Sequence, residues 1–371
     1  MQKKLIALAV AGLASSAAFA QSNVTVYGVA DVYYGNGSAS TQQTRTSVNS
    51  GGLSGSRIGF KGVEDLGNGL KALFTLEYGI NVDANQGIGG PNTASNSTTA
   101  RQQFVGLTGG FGTAVAGRLQ TAGYDFSAAT NTFHGSAINP LNTVQGGSSA
   151  TGTVGGFAAA SVTNGLGAGP SLIGQSSRAP NAVAYISPSF GGFVVAVNHA
   201  RLSETASTTA TSDAQANLVS GTYTAGPAVA SIIYASVSAA NATAQHVTEW
   251  GIGGGYDFGV VNLKASYQTQ KVEGAIDNDK AYQISALVPV TAAGKINFGY
   301  AKSKIGSTTA SDDTSSWTLA YLHSLSKRTT LYTGYQRVSN SSAATLATGL
   351  SGLSSAGGSA RAFVAGVNHS F

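Results

Sequence analysis

Cysteine is absent from the chain, proline occurs only seven times, and charged residues make up 9% of the 371 positions. Without cysteine no disulfide can hold the fold, so stability must come from hydrogen bonding and packing. A charged fraction about a third of the usual ~25% excludes an ordinary soluble enzyme, whose exterior needs charge to stay in solution. The 20 Lys and Arg are too sparse for a chain that grips nucleic acid through its phosphates. Apolar runs of about 20 residues, which a helical membrane protein needs, are also missing beyond the N-terminus. In place of charge the chain carries 50 Gly together with abundant Ser, Thr, Asn and Ala. That composition fits an exported, β-rich, Gly-punctuated protein.

The first twenty residues read as a cleaved signal peptide. Lys3 and Lys4 form a positive start, Leu5 to Leu13 an apolar core, and Ala18-Phe19-Ala20 the small-residue site that signal peptidase cuts. The mature chain then begins at Gln21 as one domain over 21–371. Two of the charges behind the formal +5 leave with the signal.

From Ser22 onward, segments of about ten residues alternate apolar and polar side chains, the period of a strand. Sixteen are predicted, at 23–34, 56–64, 70–81, 101–109, 113–121, 178–188, 193–202, 214–225, 228–239, 246–257, 260–272, 280–290, 294–305, 314–325, 329–339 and 360–371. Short turns follow the even segments, as at Asp65-Leu66-Gly67-Asn68-Gly69 and Gly110-Phe111-Gly112. Long Ser/Thr/Gly/Asn loops follow the odd ones, at 35–55, 82–100, 122–177, 203–213, 240–245, 273–279, 306–313 and 340–359. An even strand number with short turns on one side and long loops on the other is the layout of an outer-membrane β-barrel. An 18-strand barrel would have to hide two further strands within 122–177. Hydrocarbon offers no partner to an unpaired backbone N–H or C=O, so the sheet must close and the first strand must pair with the last. The chain ends on a strand whose Phe363, Ala365, Val367, His369 and Phe371 share one face. A terminal Phe on an outward-facing strand is the feature read by the outer-membrane assembly machinery.

Six ordered motifs go further. They are Val24-Thr25-Val26-Tyr27-Gly28-Val29-Ala30-Asp31; the stretch from Ser56-Arg57-Ile58-Gly59-Phe60 to Leu70-Lys71-Ala72; and Arg101-Gln102-Gln103-Phe104-Val105-Gly106-Leu107 running into Gly117-Arg118. Asn181-Ala182-Val183-Ala184-Tyr185 with Gly191-Gly192-Phe193, then Ser326-Lys327-Arg328-Thr329, then Asn368-His369-Ser370-Phe371 complete the set. With these motifs the chain resembles the trimeric general porins of Gram-negative outer membranes, in particular the β-proteobacterial branch. The resemblance implies an all-β, 16-stranded antiparallel transmembrane barrel whose long third loop, about 122–177, folds into the lumen. It implies an outer-membrane homotrimer passing small hydrophilic solutes and ions by passive diffusion, with loop 82–100 latching over a neighbour. Outer-membrane lipid, lipopolysaccharide and, through Phe371, the barrel assembly machinery are the implied partners.

Alternation also assigns direction. With Ile58 and Phe60 outward, Arg57, Gly59 and Lys61 point into the lumen. Phe104 outward, with Val105 and Leu107 inward, places Arg101 inside; Val183 and Tyr185 outward do the same for Arg178. Arg118 and Lys264 are inward by the same count, and Asp31 and Glu77 supply negative charge. The resemblance implies that Arg57, Arg101 and Arg178 form a ladder on the pore wall, facing the third loop, where cation-preferring relatives place carboxylates. Here 123–177 holds one acid, Asp125, one His, His134, and no Lys or Arg. A row of permanently charged guanidiniums facing a nearly neutral loop predicts a weak preference for anions.

Four other readings compete with the general pore. A barrel enzyme needs a nucleophile or paired carboxylates with a His in reach. None of His134, His199, His246, His323 and His369 sits in such a motif, so no catalytic activity and no cofactor is expected. A metal site lacks Cys and clustered His, leaving only the loop pairs Asp312-Asp313 and Asp277 with Asp279, which read as solvated loop. A channel tuned to one small organic acid or sugar shares the fold and differs by saturating with its solute. A purely structural or adhesive barrel would not pass solutes at all.

Overall fold

The computed structural model describes residues 23–40, 42–84, 100–146, 171–175, 177–201, 214–239, 246–306, 313–350 and 354–371. The signal-peptide expectation for 1–20, most of the latch loop 82–100, and Asp312 lie outside them. Strands β1 (Asn23–Ala39), β2 (Gln42–Ser50), β3 (Arg57–Gly67), β4 (Leu70–Gly79), β5 (Ala100–Gly109) and β6 (Gly112–Gln120) come first. Helices α1 (Ala122–Thr130) and α2 (Pro140–Val144) follow. The wall continues with β7 (Arg178–Ile186), β8 (Phe193–Arg201), β9 (Ala214–Ala225), β10 (Ala228–Ala239), β11 (Val247–Asp257) and β12 (Asn262–Val272). It ends with β13 (Asp279–Pro289), β14 (Gly294–Lys304), β15 (Thr314–Ser324), β16 (Thr329–Asn340) and β17 (Ser359–Ser370).

Every neighbouring pair is antiparallel, and β1 pairs with β17 from Val29↔Ser370 to Ala39↔Ala360, which closes the sheet. The seventeen segments occupy sixteen positions round the barrel, because β2 and β3 are two halves of one wall strand. β2 pairs with the upper part of β1 (Val32↔Ser50) and β3 with its lower part (Val29↔Arg57). Here the structure departs from the alternation pattern, which predicts a first strand ending at 34 and a loop over 35–55. Residues 42–50 alternate Thr, Arg, Ser, Val and Asn with little apolar content, so their strand character comes from pairing with β1 and not from their own pattern.

The two faces differ as a membrane barrel requires. Val24, Val26, Val105, Ile232, Ile252 and Ile284 are all more than half exposed, at alternate positions along their strands. Such residues are tolerable only where lipid or protein covers them. On the inner face Ala182, Ala200 and Ala216 are buried beneath α1. Their small side chains leave room for a helix inside the barrel. The turn between β3 and β4 is made by Gly67, Asn68 and Gly69, all with positive φ, which lets two strands reverse in minimal length. At the closure, backbone bonds run both ways between Gly28 and Phe371 at 3.1 Å. The Phe371 ring lies over Gly28, where a Cβ would stand 2.3 Å from the ring's Cζ.

Candidate pore constriction

Between β2 and β3 the wall strand breaks, and residues 51–56 leave the sheet. Asp31 on β1 holds this excursion. Its carboxylate accepts the backbone N–H of Gly52, Leu53 and Ser54 at 2.9 Å each, the Tyr332 hydroxyl at 2.5 Å and the Asn368 amide at 2.7 Å. Asp31 is fully buried, so the expectation that it charges the lumen is corrected: its charge is spent on these donors. The excursion in turn holds the third loop, since Gly52 O accepts from Ala137 N at 2.9 Å and from Ser136 Oγ at 3.0 Å.

Next to the excursion, Glu77 on β4 stands between two guanidiniums. Arg101 Nε lies 2.7 Å from Oε1 and Arg57 Nε 3.6 Å from Oε2, while Tyr27 donates its hydroxyl to Oε2 at 3.1 Å. Arg57 also donates to Gly55 O at 2.8 Å. Arg101 comes inside for a reason other than simple alternation. The β4–β5 register runs Glu77↔Gln102 and then Tyr78↔Ala100, which leaves Arg101 as an extra, bulged residue. Below that bulge the faces are opposite to the sequence reading. Val105 and Leu107 are exposed on the outer face, and Phe104 packs inward against the cluster holding Leu119 and Ala122.

Arg118 on β6 donates Nε to Ala100 O at 2.7 Å. Lys61 sits 5.1 Å above the Tyr27 ring. Arg178, at the head of β7, is 8% exposed and stacks its guanidinium 4.8 Å over the Tyr124 ring of α1. Four guanidiniums, from Arg57, Arg101, Arg118 and Arg178, thus gather on the inner wall of β3 to β7 around one carboxylate, Glu77.

The described part of the third loop covers the rest of the wall. Thr121 caps α1 by accepting from Gly123 N, and Asn198 on β8 accepts from Ala122 N at 2.8 Å. α1 then lies along β8 to β12, and Lys264 on β12 donates to Ala128 O at 2.9 Å, near the helix's negative end. The segment after α1 crosses β13 to β16: Thr132 meets Ser285 and Asn297, and Thr318 donates to Ile138 O at 2.8 Å. α2 packs on β13 to β16, and the returning limb is fixed by Glu249 on β11, which accepts from Ser171 Oγ at 2.5 Å and Leu172 N at 2.7 Å. Gln145 is hydrogen-bonded to Gln268 on β12. The described parts of the loop therefore lie against the inner wall of β8 to β16, beside the Arg-bearing strands.

Two titratable groups belong to this loop. Asp125 is exposed on α1 and accepts from the Gln120 amide at 2.8 Å. Enclosure by the barrel raises its carboxyl, an effect the Gln120 bond opposes. His134 bonds Ser127 Oγ through Nδ1 at 2.9 Å and stands edge-on to Tyr124 at 4.3 Å. Burial, reinforced by Arg178, Lys264 and Arg101, pushes it down to about 3.

Glu249, Asn198 and Tyr124 position the loop and escaped the sequence reading. The one signal they left is polar residues in a wall strand or loop with no evident pore role. The other histidines that bond through their rings do so to neutral partners: His199 to Asn217, His323 to Tyr321, His369 to Thr329. Asp277 and Asp313 lie near Lys280 and Lys302, and Asp279 accepts from Gly306 N. Among the described residues no three His, Asp or Glu gather to hold a metal.

Comparison with known proteins gives one consistent result. Residues 7–343 match the family described as Gram-negative porin. The chain is 32% identical to outer membrane porin protein 32 of Delftia acidovorans over the full length of both. It is 41% identical to major outer membrane protein P.IB of Neisseria gonorrhoeae over a third of each chain. The fold superposes on the anion-selective porin from Comamonas acidovorans with a TM-score of 0.78 at 26% identity, covering 95% of this chain and all of the other.

Proposed function

The chain belongs to the Gram-negative porin family, and from that premise we propose how its lumen works. The protein is an outer-membrane porin, a closed 16-stranded barrel through which small hydrophilic solutes and ions diffuse passively, with a preference for anions. It acts as a channel and not as an enzyme.

The observation that carries the selectivity is the charge imbalance at the constriction. Four guanidiniums and one carboxylate line the wall, and the third loop adds a single acid, Asp125. Arg57, Arg101, Arg118 and Arg178 with Lys61 form the basic wall, and Glu77 trims it. In a narrow gap bounded by low-dielectric walls such an excess concentrates anions and repels cations. A reversal potential across a KCl gradient in planar bilayers tests this. Anion preference is expected; clear cation preference would overturn the reading.

The remaining features follow from the same premise. Residues 1–20 are removed on export. The barrel works as a homotrimer that touches lipid and lipopolysaccharide, and Phe371 presents the closing strand to the assembly machinery. Small residues on the outer face, Ala30 and Ala72, support close packing against a neighbour. Heat-dependent mobility on a denaturing gel tests the trimer.

A further inference from the structure

Below the Arg101 bulge the inner wall between β4 and β8 turns apolar. Leu73, Phe104, Val115 and Ile186 line a hollow of about 240 Å³ there, together with Ala184 and Ala196. The ladder sets Val115 beside Ala184 and Ile186 beside Ala196, so the patch is continuous across three strands. Ile186 is 37% exposed. The lumen wall of a water-filled barrel is ordinarily polar, and neither free diffusion nor selection by charge calls for such a patch. The hollow is smaller than the ~300–1,000 Å³ of a drug-sized ligand site, so it admits one ring or a short hydrocarbon chain.

The upper edge of the hollow is polar. Gln120 lines it and stands opposite Arg178 in the β6–β7 ladder, where facing Cα atoms are about 5 Å apart. Among the described residues Arg178 Nε is buried without a hydrogen-bond partner, and no carboxylate comes within salt-bridge distance of its guanidinium. The other charged groups nearby are committed. Glu77 engages Arg57 and Arg101, Arg118 donates to Ala100 O, and Asp125, which also borders the hollow, accepts from Gln120. An available cation at the head of an apolar hollow matches a guest with one negative charge and a hydrocarbon body.

We propose that this wall is a subsite for monocarboxylates with an apolar body, the carboxylate at Arg178 and an aryl ring or short alkyl chain against Phe104 and Val115. The subsite rests on the anion-channel reading and deepens it, because it names the class of anion that the lumen retains. A doubly charged acid fits less well. Its second carboxylate would meet Asp125 or enter the apolar hollow, where an unpaired charge is costly. A wholly hydrophilic anion gains nothing from the hollow. Docking the body removes apolar surface of guest and wall from water together, so such an acid stays longer than chloride and competes with it for the lumen.

Block of the chloride current in planar bilayers at pH 7 by sodium benzoate tests the subsite, with sodium acetate and benzyl alcohol as comparison probes. Benzoate is expected to block saturably at a concentration about tenfold below acetate, and benzyl alcohol not to block at the benzoate concentration. Phe104→Ser should bring the benzoate-to-acetate ratio toward one, and Ile186→Thr carries the same test if that variant does not fold. Arg178→Gln should weaken block by both acids. Val105→Thr, on the outer face of the same strand as Phe104, is the control and is expected to keep the wild-type ratio. Equal block by the two acids, block by benzyl alcohol matching that by benzoate, or a wild-type ratio in the Phe104 and Ile186 variants overturns the proposal. The reversal potential in KCl without added acid is read on the same channels. Cation preference there overturns the anion reading and the subsite with it, whereas anion preference with equal block removes the subsite alone.

Discussion

Arg101 reaches from β5 to Glu77 on β4, with 2.7 Å between Nε and Oε1. The ion pair bridges neighbouring wall strands at the place where a bulge turns Arg101 inward. Glu77 holds Arg57 and Arg101 together and cancels one of their two charges, so in the proposed constriction it would set how positive the wall is.

Glu77→Gln should therefore strengthen anion selectivity. The variant keeps its hydrogen-bonding shape but removes the carboxylate, and the chloride-to-potassium permeability ratio is expected to rise by about twofold. Arg101→Gln should shift the reversal potential the other way. Reversal potentials of the two variants, measured in one salt gradient, check the pair of opposite signs.

Asp31→Asn tests the anchor of the excursion. An asparagine offers one oxygen where two served, and turns an N–H toward backbone donors. Leaving even one of the buried Gly52, Leu53 or Ser54 amides unpaired costs about 1–3 kcal/mol. We expect a lower temperature for loss of the heat-resistant form on denaturing gels. Noisier single-channel current should accompany it, because Gly52 also holds Ala137 of the third loop. Unchanged noise with lowered heat resistance would separate the anchor from the loop.

His134 should not tune the pore between pH 5 and 8. Its folded value of about 3 lies below the ordinary 6.5, so the unfolded chain binds the proton more readily. The stability it contributes is complete above about 6.5 and drains away as pH falls toward 3. His134→Gln is expected to leave conductance across pH 5–8 as in wild type. It should also flatten the acid side of the denaturation profile below pH 6.5, which denaturant midpoints at several pH values would measure.

Gly28→Ala tests closure. The added methyl would meet the Phe371 ring at 2.3 Å and Arg57 O at 2.6 Å, so the last strand cannot dock without shifting. A drop in the folded, heat-modifiable fraction is expected. Combining the change with Phe371→Leu should recover part of it, provided the ring is the main obstacle.

Much of the architecture was legible in the residues themselves. Period-two alternation, short turns after even strands and long loops after odd ones all follow from a wall with lipid on one side and water on the other. Backbone groups in hydrocarbon force the ends to meet, and Gly28 and Phe371 are where they do. The scarcity of charge belongs to the same cause, and the near-neutral third loop could be counted directly.

What alternation could not supply is anything that depends on a break in it. Parity gives Arg101 the right side but Phe104, Val105 and Leu107 the wrong one, because a single bulged residue reverses every face beyond it. Residues 42–50 carry no hydrophobic period, so only pairing with β1 makes them a strand. Asp31 reads as a pore carboxylate until the excursion at 51–56 folds back over it and occupies both oxygens. Glu249 is one acid on one strand until the returning limb of a distant loop lands on it. Strand pattern is a local property written along the chain; bulges, excursions and loop anchors are contacts between remote segments, and tertiary structure alone decides them.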